Sequence, residues 1–158
     1  MEGAFVTPWG IIPNTTTPEG AEIWGKMMFR GDNTVIAPAG NYWLGLTSLN
    51  PANFPTLEDA VLREPTIGVN GYARQAITRD ATGWPTIINA NGHVLFKSSE
   101  LTFTASGIGY DKSINRLFLA TVETGYAGTL FAISEPLPAS VTVTPASPLT
   151  VQYQRTLP

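Results

Sequence analysis

The chain has no cysteine and a single histidine among its 158 residues. Without cysteine there is no thiol nucleophile, no thiolate metal site and no disulfide. Charge is also scarce, at 13% of residues against about 25% in an average globular domain. Thr, Asn, Ser, Gly and Pro take its place. They give a polar surface that repels its neighbours weakly and packs readily against them. The nine basic side chains are scattered rather than gathered in a run, which argues against a nucleic-acid partner. No apolar run approaches the roughly 18 residues of a spanning helix, so no membrane partner is expected. The opening MEGAFVTPWGIIPN lacks the basic segment and apolar run of a signal peptide. Synthesis in the cytoplasm without ordinary secretion is the expectation.

Catalytic sets are missing as well. His93, in ANGHVLF, has no spaced partners for zinc. A Ser-His-Asp arrangement would have to use it, yet no Gly-x-Ser-x-Gly motif places a nucleophile. Ser106, in TASGIG, reads as a small residue before a turn. LEDAVLRE gathers Glu58, Asp59 and Glu64 around Arg63. Two carboxylates about 5–9 Å apart would suit glycoside hydrolysis, but acids in a short charged loop read as a solvated face. SGIGYDKS holds Gly107 and Gly109 without the Lys-Ser/Thr of a phosphate loop, and Asp111 with Asn115 lacks calcium-loop spacing. The expectation is a protein that is not an enzyme and takes no cofactor or metal.

What is present is a length suited to one domain, able to bury roughly 70% of its unfolded surface. Residues 1–16 combine Phe5, Val6, Trp9, Ile11 and Ile12 with prolines, which bar a regular helix. They read as an extended arm or first strand that docks on its own domain or on a neighbouring subunit. A leading helix is predicted over 17–31. Thr17 caps it, Pro18 suits its first turn, Glu19 and Glu22 face the positive end of its dipole and Gly31 ends it. Ile23, Trp24, Met27 and Met28 form its apolar stripe. Gly20 and Gly25 weaken it and mark close packing against a sheet.

From residue 41 the apolar period becomes two. NYWLGLTS, GYARQAIT, GHVLFKS, LTFTAS, NRLFLATVE, GTLFAIS, SVTVT and LTVQYQ read as strands rich in aromatic and branched residues. ETGYAGT reads as a hairpin connection, RDATGWPTIINANG as a loop, and Leu57 to Val61 as one helical turn. The fold class is mainly β: a jelly-roll-like β-sandwich of about eight strands with one N-terminal helix, in a single domain over 17–158. Trp9, Trp43, Trp84, Tyr42, Tyr72, Tyr110 and Tyr126 would suffice for a sugar-stacking platform, although most sit where a core needs them. Trp84 and Tyr126 fall in loops. With Phe5, Trp9, Ile11 and Ile12 of the arm, they are the candidate interface residues.

Taken in order, Tyr42 to Thr47, Glu64-Pro65, Gly71 to Arg74, Gly128 to Ile133 and Leu149 to Tyr153 resemble a group of small virion structural proteins of tailed bacteriophages. The resemblance covers about residues 13–154. It implies a structural Gly-Tyr-Ala-Arg strand, in which Gly71 permits a sharp entry and Arg74 pairs with Glu64 or with an acceptor on a neighbour. It also implies a virion location and partners among other virion proteins, the major capsid or tail protein. Head decoration or cement is preferred, since the chain is short and has no stalk or fibrous repeat. A tail-fibre, tail or neck protein and a carbohydrate-binding module that reads host receptors are the alternatives. Sparse charge and open strand edges point to a homo-oligomer, a dimer or trimer.

Overall fold

The computed structural model describes residues 2–30, 40–49, 55–90 and 93–157. Among them ten strands join one antiparallel sheet: β1 (Glu2–Thr7), β2 (Gly10–Thr16), β3 (Tyr42–Thr47), β4 (Gln75–Ile77), β5 (Thr86–Ala90), β6 (His93–Lys97), β7 (Leu101–Phe103), β8 (Arg116–Ala120), β9 (Leu130–Ser134) and β10 (Leu149–Leu157). Their order is β4-β3-β8-β9-β2-β1-β10-β6-β5, with β7 also paired to β10. Two helices accompany the sheet, α1 (Pro18–Arg30) and α2 (Leu57–Leu62). The class is therefore mainly β, with the sheet curled into a half-barrel.

The segment read as an arm is the middle of this sheet. β1 and β2 form a hairpin, Thr7 opposite Gly10, inserted between β10 and β9. Gly10 takes φ 113° to close the turn, a conformation glycine adopts without a Cβ penalty. Pro13 costs the ladder nothing. Its carbonyl accepts from the Glu135 amide at 2.7 Å, so its nitrogen faces the same side, just past the end of β9. Phe5, with no exposed surface, and Ile12, with 8%, belong to the core and not to an interface.

Apolar residues spaced by two on each strand meet on the concave face. Leu44 and Leu46 of β3, Leu117 and Leu119 of β8, Phe5 of β1 and Tyr153 of β10 share one cluster. The inner strand β8 is buried on both sides. Phe118 and Ala120 face the opposite way, into a second cluster with Leu57 and Ala60 of α2. The glycine of Leu-Gly-Leu makes room for this. A Cβ at Gly45 would lie 2.3 Å from the Phe118 ring.

The Thr17 cap is present: its hydroxyl accepts from the Gly20 amide at 3.0 Å and donates to the Leu130 carbonyl. Gly20 marks the expected close approach, since a Cβ there would sit 2.2 Å from the Phe131 carbonyl oxygen; Gly25 has open space around it. Ile23 is buried. The side chains of Trp24, Met27 and Met28, and the stop at Gly31, lie outside the described residues.

Three other expectations change. GYARQAIT is a strand only over Gln75–Ile77, because a 3-10 turn at Val69–Gly71 precedes it and Gly71 takes φ 77°. SVTVT makes isolated bridges rather than a strand: Val141 pairs with Ile114, and the Val143 carbonyl accepts from Tyr110. Its partner is an irregular loop, and Pro138, Pro145 and Pro148 break regularity around it. RDATGWPTIINANG contains β5, which pairs with β6.

Candidate functional site

The residues singled out as catalytic candidates do not converge. His93 is exposed at the start of β6, and Glu58 is exposed on α2. Asp59 completes a capping box with Thr56: each accepts the other's backbone amide, at 2.9 and 3.2 Å. The Thr56 backbone amide first, and then the Thr56 hydroxyl, which donates to the same carboxylate oxygen at 2.9 Å, hold the Asp59 carboxyl below its ordinary range. Among the described residues, no group of three or more His, Cys, Asp or Glu side chains is placed to hold a metal ion.

Glu64 lies instead in a buried network with the Gly-Tyr-Ala-Arg segment. Arg74 Nε and Nη2 donate to the two Glu64 carboxylate oxygens, both at 2.8 Å. Arg74 also donates to the carbonyls of Val122 and Gly125, in the β8–β9 connection, and lies 5.2 Å from the Phe118 ring centroid. Tyr72 donates to Glu64 at 2.7 Å and accepts the Leu46 amide of β3 at 3.0 Å. Burial, reinforced by the Glu64 charge, pushes the Tyr72 phenol well above its usual 10. The network joins three loops and a strand, and its carboxylate and guanidinium are hydrogen-bonded throughout. This is scaffold.

A cavity of about 420 Å³ opens beside the larger core cluster. Its floor comes from the alternation of β10, which turns Tyr153, Arg155 and Leu157 the same way, and from Phe96 of β6 beside them. Tyr42, Leu119 and Phe131 close the far side. Trp84 stands nearly perpendicular to Tyr42 and to Tyr153, with ring centroids 6.3 and 6.1 Å away. It is half-buried against the core, and so forms a wall rather than a projecting anchor.

The loop carrying Arg79, Asp80, Ala81 and Trp84 roofs the cavity and is tightly braced. Asp80 Oδ1 accepts from the Thr78 hydroxyl at 2.7 Å and from the amides of Thr82 and Gly83 at 2.8 and 2.9 Å. These bonds, that of Gly83 first, hold its carboxyl below the ordinary range. Gly83 is sterically required, since a Cβ would lie 1.9 Å from the Thr78 carbonyl oxygen.

Arg155 is 4% exposed, donates to the Thr16 hydroxyl at 3.2 Å and lies 5.5 Å from the Phe131 centroid. Burial raises the Tyr42 phenol, with Arg79 opposing it most strongly and Arg155 more weakly. Both arginines line the cavity beside Tyr42. Sequence reasoning missed Arg79 and Arg155. The signal for Arg155 was the period of two in LTVQYQRTL, which sets it on the face of Tyr153.

Of the remaining interface candidates, Trp9, Ile11 and Tyr126 are exposed, and no two of the three stand opposite one another in the sheet. Comparison with protein-family models, with curated proteins and with solved structures finds no match to this chain.

Proposed function

We propose that the chain is a bacteriophage virion structural protein, of the capsid decoration or cement kind, which stabilises the particle through protein–protein contacts. A place in the tail, neck or fibre is the second position for the same role. The observation that carries this reading is a braced loop tip that presents apolar side chains to solvent. Ile67, Val69 and Ile108 are exposed there, Ile108 at 94%. The two loops are tied together. The Ser106 amide donates to the Asn70 carbonyl at 2.7 Å, the Asn70 side chain to the Gly109 carbonyl at 2.5 Å, and Asp111 accepts from the backbone and hydroxyl of Thr66 at 3.0 and 2.7 Å. A tip fixed in advance loses little freedom when a partner covers it.

The resemblance to phage virion proteins supplies the class of partner, the major capsid or tail protein, and the location, a virion assembled after synthesis in the host cytoplasm. The closed Arg74–Glu64–Tyr72 network agrees with its structural reading of Gly-Tyr-Ala-Arg. Within this proposal the curled sheet is the body of a jelly-roll-like sandwich, since β10 crosses from β7 to β1 and β6. A glycan module draws less support. Trp84, its best stacking ring, is enclosed edge-on among tyrosines rather than set on an open platform.

The test is mass spectrometry and cryo-microscopy of purified particles. Copy number near that of the major capsid protein marks a cement protein, and a few copies mark a tail or fibre component. Absence from the particles overturns the proposal.

A further inference from the structure

We infer that the cavity between β10, β6 and the Arg79–Trp84 loop binds a small uncharged aromatic molecule, about two fused rings in size. The rings of Tyr42, Trp84, Phe96, Phe131 and Tyr153 line it, and Leu119 and Leu157 add aliphatic surface. An apolar cavity of about 150 Å³ takes benzene. This one, at about 420 Å³, has room for a bicyclic molecule.

The wall rings already meet edge to face. Trp84 stands at 84° to Tyr42 and at 87° to Tyr153. Aromatic pairs favour this geometry, because a ring is positive at its edge and negative on its face. A flat ligand between these walls continues the pattern. A flexible chain of similar volume makes no such contacts and loses more freedom on binding.

Charge on the ligand is disfavoured, because the charged groups of the wall are engaged within the chain. Asp80 Oδ1 accepts three hydrogen bonds. Arg155 donates to the Thr16 hydroxyl and lies against the Phe131 ring. Arg79 is not free either. An ionic head would give up water here and find no counter-charge to spare. A sugar would leave its hydroxyls unpaired against these walls. Ile87, opposite Phe96 in the ladder and 62% exposed, gives the cavity an apolar entrance. The bracing of Asp80 and the close fit at Gly83 hold the roof in place before a ligand arrives.

The test is calorimetric titration of the full chain with 2-naphthol, 2-naphthoate and 1-octanol. The first two share their rings and differ in charge, and the third replaces the rings by a chain. 2-Naphthol is expected to bind at least about tenfold more tightly than 2-naphthoate and several-fold more tightly than 1-octanol. Trp84→Leu should weaken 2-naphthol several-fold and leave 1-octanol nearly unchanged. Ala81→Trp, at an exposed roof position, should block the cavity and abolish binding of both, with an unchanged circular dichroism spectrum confirming the fold. Equal affinity for 2-naphthol and 2-naphthoate would overturn the inference, as would 1-octanol binding as tightly as 2-naphthol. So would 2-naphthol binding retained in Ala81→Trp, or a 2-naphthol dissociation constant above about 1 mM.

Discussion

Arg74 and Glu64 meet fork to fork in the interior, Nε on Oε1 and Nη2 on Oε2, each at 2.8 Å, with both side chains almost wholly withdrawn from solvent. Ten residues separate them in sequence. The pair fixes where the Glu-Pro loop crosses the Gly-Tyr-Ala-Arg segment, and Val122 and Gly125 tie the β8–β9 connection to the same guanidinium.

Breaking this pair from one side leaves a buried charge without its partner. Arg74→Leu and Glu64→Leu should each destabilise the chain by about 3–5 kcal/mol. The double variant should cost less than the sum, because neither charge is then stranded. Urea unfolding of the three variants decides it. Single-variant losses under about 1 kcal/mol would contradict the network's role.

Tyr72 gives the same network a pH signature. Its folded phenol titrates well above 10, raised by burial and then by Glu64. Above pH 10 the unfolded chain loses the proton while the folded one keeps it, so stability falls as pH rises. The stabilisation is complete below pH 10 and is lost as pH climbs towards the folded value. Tyr72→Phe should be less stable at pH 7, having lost its bonds to Glu64 and Leu46, and should show a shallower decline above pH 10. Equal slopes in the two proteins would refute this.

Two glycines of α1 make opposite predictions. Gly25→Ala meets open space and should stabilise by up to about 1 kcal/mol through helix propensity. Gly20→Ala gains the same propensity but drives a Cβ to 2.2 Å from the Phe131 carbonyl oxygen, so it should destabilise. Thermal melting of both variants checks the sign of each.

Truncation distinguishes an arm from a sheet. Removing residues 1–16 takes away β1 and β2, exposes the pairing edges of β10 and β9 and deletes Phe5 and Ile12 from the core. The truncated chain should fail to fold, and Phe5→Ala should cost about 3–5 kcal/mol. A soluble truncated chain with native circular dichroism would return these residues to the role of an arm.

That contrast shows where the sequence is legible. Alternation over uninterrupted residues located β3, β6, β8, β9 and β10, and the Thr17-Pro18 start placed α1. A first strand was one reading of residues 1–16, but the β1–β2 hairpin was hidden because Pro8 and Pro13 mimic an irregular segment. Only the register shows Pro13 facing a side where no bond is needed. β5 was hidden because TIINA does not alternate. Its signal was the Asn-Gly dipeptide between two apolar runs, which lies at residues 91–92, outside the described structure. The Arg74–Glu64 pairing was one of two pairings named from sequence, because Glu64-Pro65 and Gly71 to Arg74 both stand among the segments that carry the resemblance; an acceptor on a neighbour was the other. The cavity could not be read there, because its walls come from strands more than a hundred residues apart in sequence.

The last prediction concerns β5, one of the two ends of the sheet. Its residues, Thr86 to Ala90, carry no charge, and Ile87 and Ile88 are exposed on opposite faces, at 62% and 45%. Natural edges are usually guarded by charge, brevity or a cover. The opposite edge, β4, has only three residues, whereas β5 has five and no charged guard. A second copy pairing along β5 would satisfy its free backbone groups and bury both isoleucines. The chain is therefore expected to sediment as a homo-oligomer at micromolar concentration, with a melting temperature that rises with concentration. The interface would contain no ion pair from β5. Raising salt from about 0.1 to 1 M, which shortens the screening length from ~10 to ~3 Å, should then leave the oligomer intact. Ile88→Lys places a charge on the edge and should yield a monomer with an unchanged fold. A wild-type chain that sediments as a strict monomer, with melting independent of concentration, would rule out self-association through this edge. The loop tip at Ile108 would then remain as the surface for the proposed attachment to a different protein.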